Sequence, residues 1–210
     1  MKKVALLLGL AIGWTPTGFA AANLTGDAAA GKNNSVACGA CHGADGNSAV
    51  PTFPKLAGQG ERYLVKQMTD IREGARQVPT MAGQLDGKSD QDLADIAAYY
   101  AAQARSGGQT SPELLALGEK VYRSGVAERN VAACTACHSP TGSGNAPAGF
   151  PALGGQHAEY TAAQLRAYRK GYEDASGRTN DGDAKIMRST AFGLSDGEID
   201  AVSSYIAGLK

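Results

Sequence analysis

The chain contains the pattern Cys-x-x-Cys-His twice, and this repetition constrains its fold more than any other feature. The two copies stand 96 residues apart. They contain all four cysteines and two of the three histidines of the sequence, namely Cys38, Cys41, His42, Cys134, Cys137 and His138. A motif that recurs within otherwise similar segments indicates an internal duplication. The chain is therefore predicted to form two tandem domains.

The similarity between the two halves extends well beyond the cysteine motif. Residues 53–59 read Phe-Pro-Lys-Leu-Ala-Gly-Gln, and residues 150–156 read Phe-Pro-Ala-Leu-Gly-Gly-Gln. The final helix of each half is predicted to begin at a capping serine, Ser89 or Ser195, that is followed three residues later by an acidic residue. The second half carries nine extra residues, most simply placed in the polar run 172–184.

Each half is read as a series of helices separated by loops, without a run of alternating strand residues, so an all-α fold is predicted. Residues 106–112 are rich in glycine, serine and proline and are typical of a linker. The predicted domains are therefore residues 23–105 and residues 113–210.

Residues 1–22 are predicted to be a cleaved signal peptide. A basic start at Lys2 is followed by an apolar stretch, residues 4–14, and then by small residues. That apolar stretch is shorter than the roughly 20 residues that span a bilayer, which argues against a membrane anchor. Cleavage after Ala20 or Ala22 would release a protein exported to the periplasm.

The charge composition argues against nucleic-acid binding. The sequence has 20 Lys and Arg residues and 20 Asp and Glu residues, so its formal net charge is zero. A protein that binds a phosphate backbone usually presents a basic surface. No nucleic-acid partner is therefore expected.

The Cys-x-x-Cys-His pattern is typical of covalent haem attachment, in which both thiols bind the haem and the histidine ligates its iron. A thioredoxin-like redox pair requires no adjacent histidine. A zinc site would need four ligands in each half, and each half offers too few. A disulfide across two intervening residues would stabilise little. Two haem c groups are predicted.

The second axial ligand of each iron is predicted to be a methionine. Met81 and Met187 each lie eight residues before the capping serine of the last helix, whereas Met68 is matched by Leu165 in the second half. A packing role for Met81 and Met187 is the alternative, because methionine often fills gaps in a core. His157 could compete with Met187, but it is expected to be a solvated residue at a helix start.

Taken with these motifs, the chain resembles the di-haem cytochromes c of the cytochrome c4 type, which consist of two class I cytochrome c domains. The resemblance covers essentially the whole sequence after residue 22. It implies axial pairs His42 with Met81 and His138 with Met187, and thioether links at all four cysteines. It also implies that the carbonyls of Pro54 and Pro151 accept hydrogen bonds from the two histidines. The two domains are then expected to be related by an approximate two-fold axis, with the haem propionates close together near the interface.

The resemblance further implies an electron-transfer protein rather than an enzyme. It would act as a monomeric periplasmic carrier between a quinol-oxidising complex and a terminal oxidase or another reductase, with at most a loose association with the membrane surface. The alternative is a di-haem subunit of an enzyme complex, such as a flavocytochrome c sulfide dehydrogenase. A di-haem peroxidase is a weaker alternative, because it needs an open iron.

Overall fold

The computed structural model describes residues 24–210, and the secondary structure of this part of the chain is helical. The predicted signal peptide lies outside the described residues. The α-helices are α1 Ala28–Asn34, α2 Gly39–His42, α3 Glu61–Arg72, α4 Asp90–Ala101, α5 Leu115–Ser124, α6 Thr135–His138, α7 Ala158–Glu173, α8 Ile186–Phe192 and α9 Asp196–Gly208. Three short 3-10 helices are Pro79–Met81, Pro112–Leu114 and Ala127–Arg129.

The all-α prediction is confirmed for the described residues, in which the β pairing consists of two isolated bridges. None of the helices between residues 24 and 210 combines the length and the apolar character that a membrane crossing demands.

In each half of the chain, the first and third α-helices pack against the last α-helix. In the first half α1 and α3 pack on α4, and in the second half α5 and α7 pack on α9. Helix α9 carries an apolar stripe at helical spacing, which is buried at Ile199, Val202 and Ile206. In α4 the equivalent stripe buries Ile96 and Tyr100. The two halves therefore have separate hydrophobic cores.

The first and last helices of each half cross at a glycine. A Cβ atom placed on Gly31 of α1 would lie 1.9 Å from the carbonyl oxygen of Asp95, and one on Gly118 of α5 would lie 2.3 Å from that of Ala201. No side chain fits between these backbones, so glycine is required for the close approach. The two crossings are equivalent, as the duplication predicts.

The predicted helix caps are also confirmed. Ser89 accepts a hydrogen bond from the backbone of Asp92, and the Asp92 carboxylate accepts one from the backbone of Ser89. Ser195 and Glu198 form the same capping box at the start of α9. Such boxes satisfy backbone donors that would otherwise lack partners at a helix start.

The extra residues of the second half lengthen a helix and replace a short turn. Helix α7 has 16 residues, whereas α3 in the first half has 12. After α7 the chain passes through residues 174–185 into α8, where the first half has only the 3-10 helix Pro79–Met81. The segments that carry Met81 and Met187 therefore differ.

Candidate functional site

The two motif histidines are buried and occupy equivalent positions. His42 ends α2 and His138 ends α6. The Nδ1 atom of His42 lies 2.8 Å from the carbonyl oxygen of Pro54, and that of His138 lies 2.9 Å from the carbonyl oxygen of Pro151. Because a carbonyl oxygen only accepts, Nδ1 carries the proton in each ring and Nε2 keeps its lone pair for a metal.

The surroundings of both rings favour the neutral imidazole. Burial lowers the pKa of His42 and of His138, and the carbonyl hydrogen bond only partly opposes this effect. Phe53 lies edge-on to His42 and Phe150 edge-on to His138, each with 6.3 Å between ring centroids. A neutral, oriented imidazole is the form that ligates iron.

The four cysteines form no disulfide bond. Burial raises the pKa of Cys38, and it raises that of Cys134 to about 11. Reactive thiols and zinc ligands instead have lowered pKa values, because the thiolate is the functional form. These apolar surroundings suit an uncharged thioether better than a thiolate site.

One continuous cavity of about 1470 Å³ joins the two halves. It is larger than the roughly 300–1,000 Å³ of an ordinary single-ligand pocket. Its walls include every predicted haem-binding and axial residue, namely Cys38, Cys41, His42, Met81, Cys134, Cys137, His138 and Met187.

The two methionines are held at the cavity wall by different local structures. Met81 ends a 3-10 helix that begins at Pro79, a residue whose fixed φ favours a helix start. Met187 lies in the first turn of α8 and is followed by Arg188. The Arg188 side chain forms a buried ion pair with Asp181, with 2.6 Å between Nε and Oδ1. This ion pair anchors the inserted loop beside Met187.

Two arginines line the cavity where the halves meet. Arg76 donates to Tyr160 and Gln164 of the second half and to Gln67 of its own half. Arg178 donates to Gln67 of the first half and to Gln164, at 2.8 Å in each case. Among residues 24–210 neither guanidinium has a carboxylate within the 4.0 Å of an ion pair.

These cations make the cavity suitable for an anionic cofactor. The Arg178 residue is only 8% exposed, so its charge is largely shielded from water. A buried cation without an anionic partner is unfavourable. The carboxylates of haem propionates would supply that partner, and the neutral imidazoles, thiols and thioethers supply the remaining donors that a haem requires.

The halves are also joined by a reciprocal pair of glutamines. The Gln59 side chain bonds the backbone N–H and C=O of Ala152 at 2.8 and 3.0 Å. Gln156 bonds the same groups of Lys55, at 2.9 Å in both cases. Because the four residues occupy equivalent positions in the repeat, this contact has two-fold symmetry.

The expectation that His157 is solvated is wrong. It lies at the start of α7, as the N-cap residue, but its Nε2 atom donates to the carbonyl oxygen of Ser48 in the first half at 2.8 Å. It therefore contributes to the contact between the halves. The glycine at the equivalent position of the first half, Gly60, has no side chain to form a matching bond.

Comparison with known proteins identifies the family. The sequence profile of the cytochrome c family matches residues 28–102 and again residues 115–210. Cytochrome c4 of Pseudomonas aeruginosa is 56% identical over 209 residues, which is 100% of both chains. The chain belongs to the cytochrome c4 family. The crystal structure of reduced recombinant cytochrome c4 from Pseudomonas stutzeri superimposes with a TM-score of 0.85 and 54% identity, over 89% of this chain and 100% of that chain.

A further relative is a thiosulfate dehydrogenase electron acceptor of Stutzerimonas stutzeri. It is 38% identical over 184 residues, which is 83% of this chain and 79% of that protein. Together these findings confirm the predicted resemblance and the two tandem cytochrome c domains. The protein is a di-haem c-type cytochrome with covalently attached haem, and it transfers electrons to redox partners rather than acting as an enzyme.

The sequence did not identify Gln59, Gln156, Arg76 and Arg178 as residues that contribute to the contact between the halves. The two glutamines had a visible signal, since they occupy equivalent positions at the end of the repeated Phe-Pro-x-Leu segment. The arginines had none, because Arg178 lies in the inserted run and Arg76 lies just beyond the last clearly repeated residues.

Proposed function

We propose that this protein carries single electrons through the periplasm, from a quinol-oxidising complex to a terminal oxidase or another reductase. The observation that carries this proposal is that His42, Met81, His138 and Met187 all line one cavity shared by both halves. Two ligands for each iron leave no position for a substrate, and such closed sites favour electron transfer over catalysis.

Each of these residues has a separate role in the proposal. A bound haem supplies an iron that gains and loses one electron. His42 and His138 provide the proximal ligands, and the four cysteines provide the thioether links. Met81 and Met187 complete the coordination, which raises the reduction potential relative to a second histidine. The carbonyls of Pro54 and Pro151 fix the two imidazoles and increase their basicity.

The arginines give the shared cavity a fixed positive charge. Arg76 and Arg178 are each hydrogen-bonded to side chains of both halves, so their positions depend on the docking of one half against the other. We propose that they compensate the negative charge of the propionates. The same charge favours the reduced form of both sites, because reduction adds an electron.

The cellular context follows from the sequence. We propose that residues 1–22 direct export to the periplasm and are removed there. Residues 23–105 and 113–210 then form the two domains, joined by the linker 106–112. The linker is bonded to both, since Ser106 donates its N–H to Asn47 Oδ1 at 2.8 Å and Gly108 donates to Ala207 at 2.9 Å.

A second candidate function is service as the electron-accepting subunit of a dehydrogenase. The similarity to a thiosulfate dehydrogenase electron acceptor favours it. Tyr172 and Phe192 also form an exposed stacked pair, with 4.3 Å between ring centroids, and Phe192 belongs to the same helix, α8, as Met187. Purification from the native membrane and periplasmic fractions separates the two functions, since a carrier elutes alone and a subunit elutes with its dehydrogenase.

The axial ligands are tested by visible spectroscopy of the haem-loaded protein with and without carbon monoxide. The wild-type protein should show the weak methionine-to-iron band when oxidised and should not bind carbon monoxide when reduced. Met81→Ala and Met187→Ala should each open one site to the gas. Met68→Leu is the matched control and should behave like the wild type. Carbon monoxide binding by the wild-type protein would contradict the carrier function.

A further inference from the structure

The hydrogen bond that orients each proximal histidine is part of a longer chain of bonds that crosses between the halves. The carbonyl oxygen of Pro54 accepts from His42, and that carbonyl belongs to the same peptide group as the N–H of Lys55. The Lys55 N–H donates to Oε1 of Gln156, in the other half, at 2.9 Å. One planar peptide group therefore connects His42 with Gln156.

The second half contains the same arrangement. The carbonyl of Pro151 accepts from His138, and the N–H of the same peptide group belongs to Ala152. That N–H donates to Oε1 of Gln59, in the first half, at 2.8 Å. Each histidine is thus connected to the glutamine of the opposite half rather than to that of its own.

The orientation of each glutamine amide is fixed by its neighbours. Gln156 Oε1 accepts from the N–H of His157 as well as from that of Lys55, and Nε2 donates to the Lys55 carbonyl. Gln59 Oε1 likewise accepts from the N–H groups of Gly60 and Ala152. Rotating either amide would place donors against donors, so the oxygen must face the peptide N–H.

We propose that each glutamine tunes the reduction potential of the haem site in the opposite half, Gln156 acting on the His42 site and Gln59 on the His138 site. A peptide whose N–H is hydrogen-bonded has a more negative carbonyl oxygen, and hydrogen bonds in series strengthen one another by about 10–30%. A stronger acceptor at Nδ1 makes the imidazole a more basic ligand. A more basic ligand favours oxidised iron and lowers the potential.

The inference rests on the proposed ligation of the irons by His42 and His138, and both glutamines act as positioning residues. Replacing Gln156 with methionine keeps the length of the side chain but removes its hydrogen bonds. We expect the one-electron equilibrium constant for reduction of the His42 site to increase roughly twofold. At 59 mV per tenfold change in that constant, its reduction potential rises by about 18 mV. The His138 site should stay unchanged. Gln59→Met should produce the opposite pattern, so each variant is the control for the other.

The test is a spectroscopic redox titration of the haem-loaded variants, together with proton NMR of the reduced protein. In Gln156→Met the Nδ1–H resonance of His42 should move upfield as its hydrogen bond weakens, and that of His138 should not move. Gln156→Glu retains the acceptor and adds charge, which strengthens the bond from Lys55. It should therefore move the His42 resonance downfield.

The crossed pattern separates this inference from its alternatives. Shifts confined to the half that carries the substitution, equal shifts in both halves, or no shift in either resonance would each overturn it. The proposed ligation would instead be contradicted if the oxidised wild-type protein lacked the methionine-to-iron band, or if the reduced wild-type protein bound carbon monoxide. If Gln156→Met fails to fold, the opposite displacement in Gln156→Glu and the Gln59 variants still decide the question.

Discussion

Replacing Gly118 with alanine should loosen the crossing of α5 and α9 and thereby destabilise the second domain. The new Cβ would lie 2.3 Å from the carbonyl oxygen of Ala201 and 2.7 Å from the Cβ of Tyr205, whereas ordinary contacts begin at 3.4 Å. The helices must therefore separate by about 1 Å, which forfeits a quarter to a half of each dispersion contact along the crossing.

The size of the effect follows from two opposing contributions. Overpacking of a close-packed site costs about 1–3 kcal/mol of unfolding free energy. The higher helix propensity of alanine relative to glycine stabilises α5 by about 0.8–1.0 kcal/mol, which offsets part of this cost. Because the clash is with backbone, which cannot rotate away, the cost should lie at the upper end of its range. We expect a net loss of about 2 kcal/mol.

The assay is urea unfolding of the haem-loaded protein followed by far-ultraviolet circular dichroism. With a urea dependence of about 2 kcal/mol per molar, the midpoint of the second domain should fall by about 1 M. Gly197→Ala is the matched control, because it lies on the same helix pair and a Cβ there meets nothing within 4 Å. An unchanged midpoint for Gly118→Ala would refute the packing argument.

Three further predictions concern charge and capping. Arg178→Gln should lower both reduction potentials in a redox titration, because it removes a buried positive charge. Arg166→Gln should leave them unchanged, because that arginine lies outside the cavity and is paired with Asp200. Ser195→Ala should reduce the unfolding free energy by about 1 kcal/mol in urea titration, because it removes the N-cap of α9. Hydrogen bonds from Ser89 lower the pKa of Asp92, so the stabilisation it provides is complete above the ordinary carboxyl pKa and is lost as the pH falls through the lowered value. Asp92→Asn should therefore reduce the acid dependence of the thermal unfolding midpoint.

Much of each domain could be predicted because the relevant signals are local or repeated. The capping boxes of Ser89 and Ser195 lie within four residues of sequence, and the apolar stripes of α4 and α9 follow the helical period. The duplication also singles out Met81 and Met187, since a residue that matters to both halves occurs at the same place in each.

The contact between the domains could not be predicted in the same way. His157 bonds Ser48 across 109 residues, and no local pattern indicates that pairing. Gln59 and Gln156 were visible as repeated residues, but their partners depend on how two finished domains dock. Arg178 lies in a run without any counterpart in the first half, so the repeat offered no guide to its role.

The inserted segment makes the sequence of each half depend on different residues of the other half. Arg178 and Asn180 reach across to Gln67, and Asn180 also donates to Asp70, so the insertion in the second copy is held by side chains of the first. A chain made of two copies of the first half could still form the glutamine contacts, but it would lack the hydrogen bonds from Arg178 and Asn180 to Gln67 and Asp70. Within the family, positions 67 and 70 should therefore change together with positions 178 and 180, and neither copy should be replaceable by a duplicate of the other.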